Sequence, residues 1–92
     1  MNVKEAVIRA KTYVSELFED ESPRNLGLEE VGLDRSTNEW IVTVGFSRPW
    51  DEPKGALAAL ANSPITRRVY KVVRISDSTG EIISVKNRDL LP

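Results

Sequence analysis

The hydrophobic period changes once along this chain, from helical to alternating, and such a chain is confined to a helix followed by strands. Val3, Ala6, Val7, Ala10, Tyr13, Val14, Leu17 and Phe18 recur at spacings of three and four, which gathers them on one stripe. Lys4, Arg9, Lys11, Ser15, Glu16 and Glu19 fall mostly on the opposite side. Asn2 is placed to accept from the first-turn amides and Glu5 to reach back, the pattern of a capping box. Glu19-Asp20-Glu21-Ser22-Pro23 closes the segment, because acids oppose the helix dipole at this end and Pro23 disfavours helical backbone in Ser22. The spacing predicts a helix over residues 3–19.

From Leu26 the period is two. Leu26 and Leu28 share one parity and Val31 and Leu33 the other, so one extra residue near Glu29-Glu30 is needed to bring both pairs to one face. Trp40, Val42, Val44 and Phe46 alternate with Ile41, Thr43, Gly45 and Ser47, and the larger set takes the buried face. Strands are expected at about 25–34, 40–47, 67–76 and 81–88. Asp77-Ser78-Thr79-Gly80 joins the last two, with Gly80 suited to the left-handed position of a bulged turn. That turn sets Ile75 opposite Ile83 and Val73 opposite Val85. One face then carries Val69, Val73, Ile75, Ile83 and Val85, with Lys71 the one conflict. The other carries Arg68, Tyr70, Val72, Arg74, Ile82, Ser84, Lys86 and Arg88. Ser36-Thr37-Asn38-Glu39-Trp40-Ile41 echoes Ser78-Thr79-Gly80-Glu81-Ile82-Ile83, with Asn38 where Gly80 stands, so the same turn is expected twice.

The assembled expectation is an α+β fold: one N-terminal helix packed on a four-stranded antiparallel meander sheet, forming a single domain over residues 1–92. Residues 48–65 form a long loop, carrying Pro49, Pro53, Pro64 and Gly55, and a connection of that length is functional or disordered.

Composition narrows the function classes. The chain has no cysteine and no histidine, which removes disulfides, thiolate nucleophiles, the usual zinc ligands and the commonest general base. Carboxylates are adjacent at Glu19-Asp20-Glu21, Glu29-Glu30 and Asp51-Glu52, but none sits in an apolar context that would separate acid from base. Glycines are scattered singly, so no phosphate-binding loop is formed, and neither Asp51-Glu52 nor the Asp77 turn has calcium-loop spacing. A non-enzymatic protein is expected, with no catalytic, metal or cofactor site. The first residues are interrupted by charge every few positions, and the longest apolar stretch, residues 56–61, is too short to span a bilayer. A cytoplasmic location is the default expectation.

Net charge is −1, from 13 basic and 14 acidic side chains, but its distribution is uneven. Residues 1–46 hold five basic and nine acidic groups, whereas residues 47–92 hold eight and five. Arg68, Tyr70, Arg74, Lys86 and Arg88 gather on the outward face of the last hairpin. Such a face suits an acidic partner or single-stranded nucleic acid, or is simply the wet side of an antiparallel sheet. Trp50 stands between Pro49 and Asp51 just past a strand. It is either an interface anchor or a plug folded back onto the core. Trp40, in phase with Val42 and Val44, belongs to the core.

The helix, the strand Trp40-Ile41-Val42-Thr43-Val44 and the hairpin from Tyr70 through Asp77-Ser78-Thr79-Gly80-Glu81 to Ile83 together resemble the PepSY-type domain. There an aromatic strand ends in an acidic-x-x-Thr-Gly-Glu turn followed by an aliphatic strand. The resemblance implies a cystatin-like helix-on-sheet fold and a role as propeptide or inhibitor of peptidases. The leading expectation is a protein-interaction module acting through the 48–65 loop, with Arg48, Trp50 and Asp51 at its start and the basic hairpin assisting. Inhibitor, neutraliser and regulatory subunit all fit. Nucleic-acid binding by the outer face is the second expectation. Self-association through an open sheet edge is the third, with a monomer or a homodimer both compatible.

Overall fold

The helix begins where the capping box places it. Asn2 Oδ1 accepts from the Glu5 amide at 2.8 Å, and Glu5 Oε1 accepts from the Asn2 amide at 3.4 Å. In the computed structural model, which describes residues 1–51 and 68–88, α1 spans Val3–Leu17 and buries Ala6, Ala10 and Val14. It stops two residues before the expected position 19. Phe18 caps it, and Glu19–Glu21 tighten into a 3-10 turn. No basic residue occupies the last helical turn to satisfy its carbonyl end, and Ser22, preceding Pro23, leaves the right-handed region altogether at φ 49°.

Four strands follow: β1 (Arg24–Asp34), β2 (Glu39–Ser47), β3 (Val69–Ser76) and β4 (Ile82–Asn87). They lie in chain order, each antiparallel to the next. The fold is α+β, one helix on a four-stranded antiparallel meander. Arg68 and Arg88 flank the strands expected to contain them, and residues 52–67, including most of the expected loop, lie outside the described residues.

The expected extra residue in β1 is Glu29. Leu28 pairs with Val44 and Glu30 with Thr43, so Glu29 has no opposite number and Leu28 and Val31 come to the same side. A second irregularity lies between Arg24 and Gly27, where Asn25 is left-handed at φ 55°. On the helix side, Ala6, Ala10 and Val14 meet Val42, Val44 and Phe46 of β2 and Val73 and Ile75 of β3, all fully buried. Each larger apolar side chain removed from water there contributes roughly 1.5–3 kcal/mol. Phe18 packs its ring 5.6 Å from that of Phe46 and closes the end of the core beyond the helix. Lys71, the polar residue on this face, runs past the helix end. Its ammonium lies 4.8 Å from the Phe18 ring and donates to Asn87 Oδ1, so the stem is covered while the charge is satisfied.

The two hairpin turns share one geometry. The Asn38 amide donates to the Asp34 carbonyl at 2.8 Å and the Gly80 amide to the Ser76 carbonyl at 2.8 Å, with Asn38 and Gly80 left-handed at φ 60° and 74°. The turns are joined, since the Asp77 amide donates to the Asn38 carbonyl at 3.0 Å and Trp40 Nε1 to Asp77 Oδ1 at 2.7 Å. The Ser36 hydroxyl and amide, both donating to Asp34, hold its carboxyl below the usual carboxylate range.

The register of the second hairpin departs from expectation. Val73 pairs with Val85 as predicted, but Ile75 pairs with Ile82, and the break falls between Arg74 and Ile75. Ser76 is bonded across to Glu81, so four residues rather than three form the loop. The extra residue therefore sits inside β4 at Ile83. Ile82 packs against the core, whereas Ile83, expected inside, is 49% exposed. Moving the bulge along the strand exchanges Ile83 for Ile82 on the inner face and leaves Val85 there.

Candidate interaction surface

Trp50 lies on a 3-10 turn, Pro49–Asp51, directly after β2. Pro49 has its φ preset by its ring, which favours such a turn. Arg48 holds the turn closed. Its Nε donates to Asp51 Oδ2 at 2.7 Å and its terminal nitrogen to Asp51 Oδ1 at 3.3 Å, while its backbone amide also reaches Oδ2 at 3.1 Å. This two-pronged fit of guanidinium on carboxylate fixes direction as well as distance. The other terminal nitrogen reaches Glu21 Oε1 at 3.2 Å, tying the turn to the segment after α1. The Asp51 side chain is 4% exposed, and its hydrogen bonds to Arg48 hold the guanidinium above its ordinary pKa. Arg48 also lies over the Trp50 ring at 5.1 Å.

Trp50 itself is 58% exposed. The plug reading fails here, since that end of the core is closed by Phe18 and Phe46. Arg48, Trp50 and Asp51 thus come together in one turn with the indole turned to water. Glu21 is the member that sequence reasoning missed. It stands 27 residues from Arg48, and no local pattern marks it as a partner.

Arg68, Tyr70, Arg74, Lys86 and Arg88 share the sheet face opposite the helix, as expected, whereas Ile82 belongs to the inner side. Two of the four cations are paired with acids. Arg68 lies 3.8 Å from Glu29 and donates to the Asn25 carbonyl at 3.0 Å, and Arg74 donates to Glu39 at 3.0 Å. Arg88 stacks on the Tyr70 ring at 4.0 Å, which covers one face of the aromatic surface a base would need. Gly45 makes room beneath this layer: a Cβ there would lie 3.0 Å from Tyr70 Cε1 and from Glu29 Oε1, and 3.1 Å from an Arg68 nitrogen. Arg68 and Arg74 are therefore tied to Glu29 and Glu39, and Arg88 to the Tyr70 ring. The eight predicted residues thus fall into two groups, the Arg48–Trp50–Asp51 turn and this outer layer.

Among the described residues no helix is long and apolar enough to cross a membrane. No protein-family model, no curated protein and no solved structure matches the chain.

Proposed function

We propose that the protein is a non-enzymatic interaction module that binds a protein partner through the Trp50 turn, in the manner of an inhibitor, neutraliser or regulatory subunit. The supporting observation is Trp50, 58% exposed on a turn held by the Arg48–Asp51 pair. An aromatic ring fixed in advance loses little freedom on binding and contributes large contact area, which is why such residues dominate interface energetics. The neighbouring Arg48 adds a cation already paired, so the projection offers mainly apolar and π surface. Pairing of Arg68 with Glu29 and of Arg74 with Glu39, and the cover of one Tyr70 face by Arg88, favour this reading over nucleic-acid binding.

The test is affinity capture from native lysate with wild type and Trp50→Ala, followed by titration of any captured partner. The variant is expected to melt within a degree or two of wild type, because an exposed ring contributes within about 0.5 kcal/mol. Partner affinity is expected to fall at least tenfold, since an anchor contributes about 2 kcal/mol or more. Equal capture by both proteins, or unfolding of the variant, overturns the assignment.

A further inference from the structure

A helix about 10 Å across cannot cover four strands set about 4.8 Å apart. Here α1 leans mainly on β1, β2 and β3. Beside β1 it leaves an open groove of about 360 Å³ lined by Val3, Lys4, Val7, Ile8, Leu28 and Val31. Apart from Lys4 the lining is apolar, and Val3, Ile8 and Leu28 keep 47%, 62% and 43% of their surface in water. The groove borders the outer edge of β1, which pairs only with β2 among the described residues.

Two irregularities, at Glu29 and before Gly27, interrupt the first part of that edge, a device that discourages long pairing between whole chains. Residues 30–34 remain regular, paired in unbroken register with Thr43, Val42, Ile41, Trp40 and Glu39. In this stretch Val31 and Leu33 point to the helix side, and Glu30, Gly32 and Asp34 to the other. Glu30 has no ion-pair partner among the described residues, and Asp34 carries its charge while accepting from Ser36.

We propose that residues 30–34 take up an extended peptide of the pattern basic–apolar–any–apolar–basic as a fifth strand. Backbone hydrogen bonds to the outer edge of β1 supply affinity. The apolar side chain opposite Val31 enters the groove between β1 and α1, the one opposite Leu33 packs on that half-buried side chain, and the two basic ones stand beside Glu30 and Asp34 across the strand pair. Lys4 in the groove repels a cation on the helix side, so charge selects which face of the peptide turns inward. An antiparallel pairing of this stretch with a second copy, centred on Gly32, would set Glu30 against Asp34, like charge against like, so the edge suits a basic segment better than a second copy. This surface is separate from the Trp50 turn, and failure of either proposal leaves the other standing.

The probe is a labelled Lys-Val-Ser-Val-Lys segment with Gly-Ser tails, titrated with the full chain by fluorescence anisotropy. Saturable binding is expected, with amide shifts in the protein concentrated at residues 30–34. N-methylating one alternate set of peptide amides should weaken binding at least tenfold, and methylating the other set should be tolerated. Scrambling to Val-Val-Ser-Lys-Lys and the Glu30→Lys variant should each weaken it as strongly. Absence of binding overturns the proposal. So does equal loss from both methylated sets, or equal binding of the scrambled peptide, which would show charge attraction alone. A mass that rises with concentration in light scattering of the chain alone would assign the edge to a second copy.

Discussion

Trp40 and Trp50 carry the same side chain and meet opposite fates. Trp40 lies half-buried with its indole N–H donated to Asp77, so its polar atom is satisfied and its ring packs on the core. Trp50 projects into water on the turn that Arg48 ties to Asp51 and Glu21. The parity of Trp40 with Val42 and Val44 marks it as inward from sequence alone. Nothing local decides Trp50, because the turn that carries it is held through Arg48 to Glu21, which follows the C-terminal end of α1. Arg48 is the residue on which the projection depends. Arg48→Ala should cost about 1.5–3 kcal/mol in urea unfolding, the range for hydrogen bonds to charged groups, because the nearly buried Asp51 carboxylate loses its two-pronged partner. The Trp50 indole resonance should sharpen as the turn loosens. Arg48→Lys, which keeps the charge but not the fork, should recover only part of the loss.

At the scale of the element, the two hairpins show how far turn chemistry reaches. Asn38 and Gly80 occupy matching left-handed positions, so the echo between the two segments is structural as well as textual. Asn38→Gly should leave stability nearly unchanged. Asn38→Ala should lower it by about 1–2 kcal/mol, the penalty for placing an ordinary side chain in that conformation, read as a shift in the thermal midpoint. The second hairpin also shows where local chemistry stops. A left-handed glycine is compatible with a three- or a four-residue loop, and the four-residue form moves the bulge to Ile83. Ile82→Ala should accordingly cost about 2 kcal/mol, the low end for a core isoleucine, and Ile83→Ala less than about 0.5 kcal/mol in the same urea titration. The reverse order would restore the register read from sequence.

At the scale of the whole molecule, one helix organises a sheet wider than itself. The fully buried core draws on α1, β2 and β3, while β1 and β4 add only half-buried side chains at the margins. Stability should therefore be graded across the sheet. In native-state hydrogen exchange, amides paired between β2 and β3 should exchange slowest and those of β4 markedly faster, because local opening follows the amount of apolar surface it exposes. Uniform protection across all four strands would contradict that grading.

The helix, the number and order of strands, the bulge at Glu29 and the left-handed residues at both turns follow from the sequence by itself. Each is set by spacing or by backbone preference over a few neighbouring residues, and such signals survive without knowledge of the rest of the chain. The core position of Trp40 and the common face of Arg68, Tyr70, Arg74, Lys86 and Arg88 follow in the same way, from parity. Only the tertiary structure decided that Ile82 and not Ile83 turns inward, that Glu29 and Glu39 pair with Arg68 and Arg74, and that Glu21 completes the Arg48 clamp. These depend on groups distant in sequence meeting at bonding distance, where packing and charge pairing outweigh anything a short stretch of residues prefers.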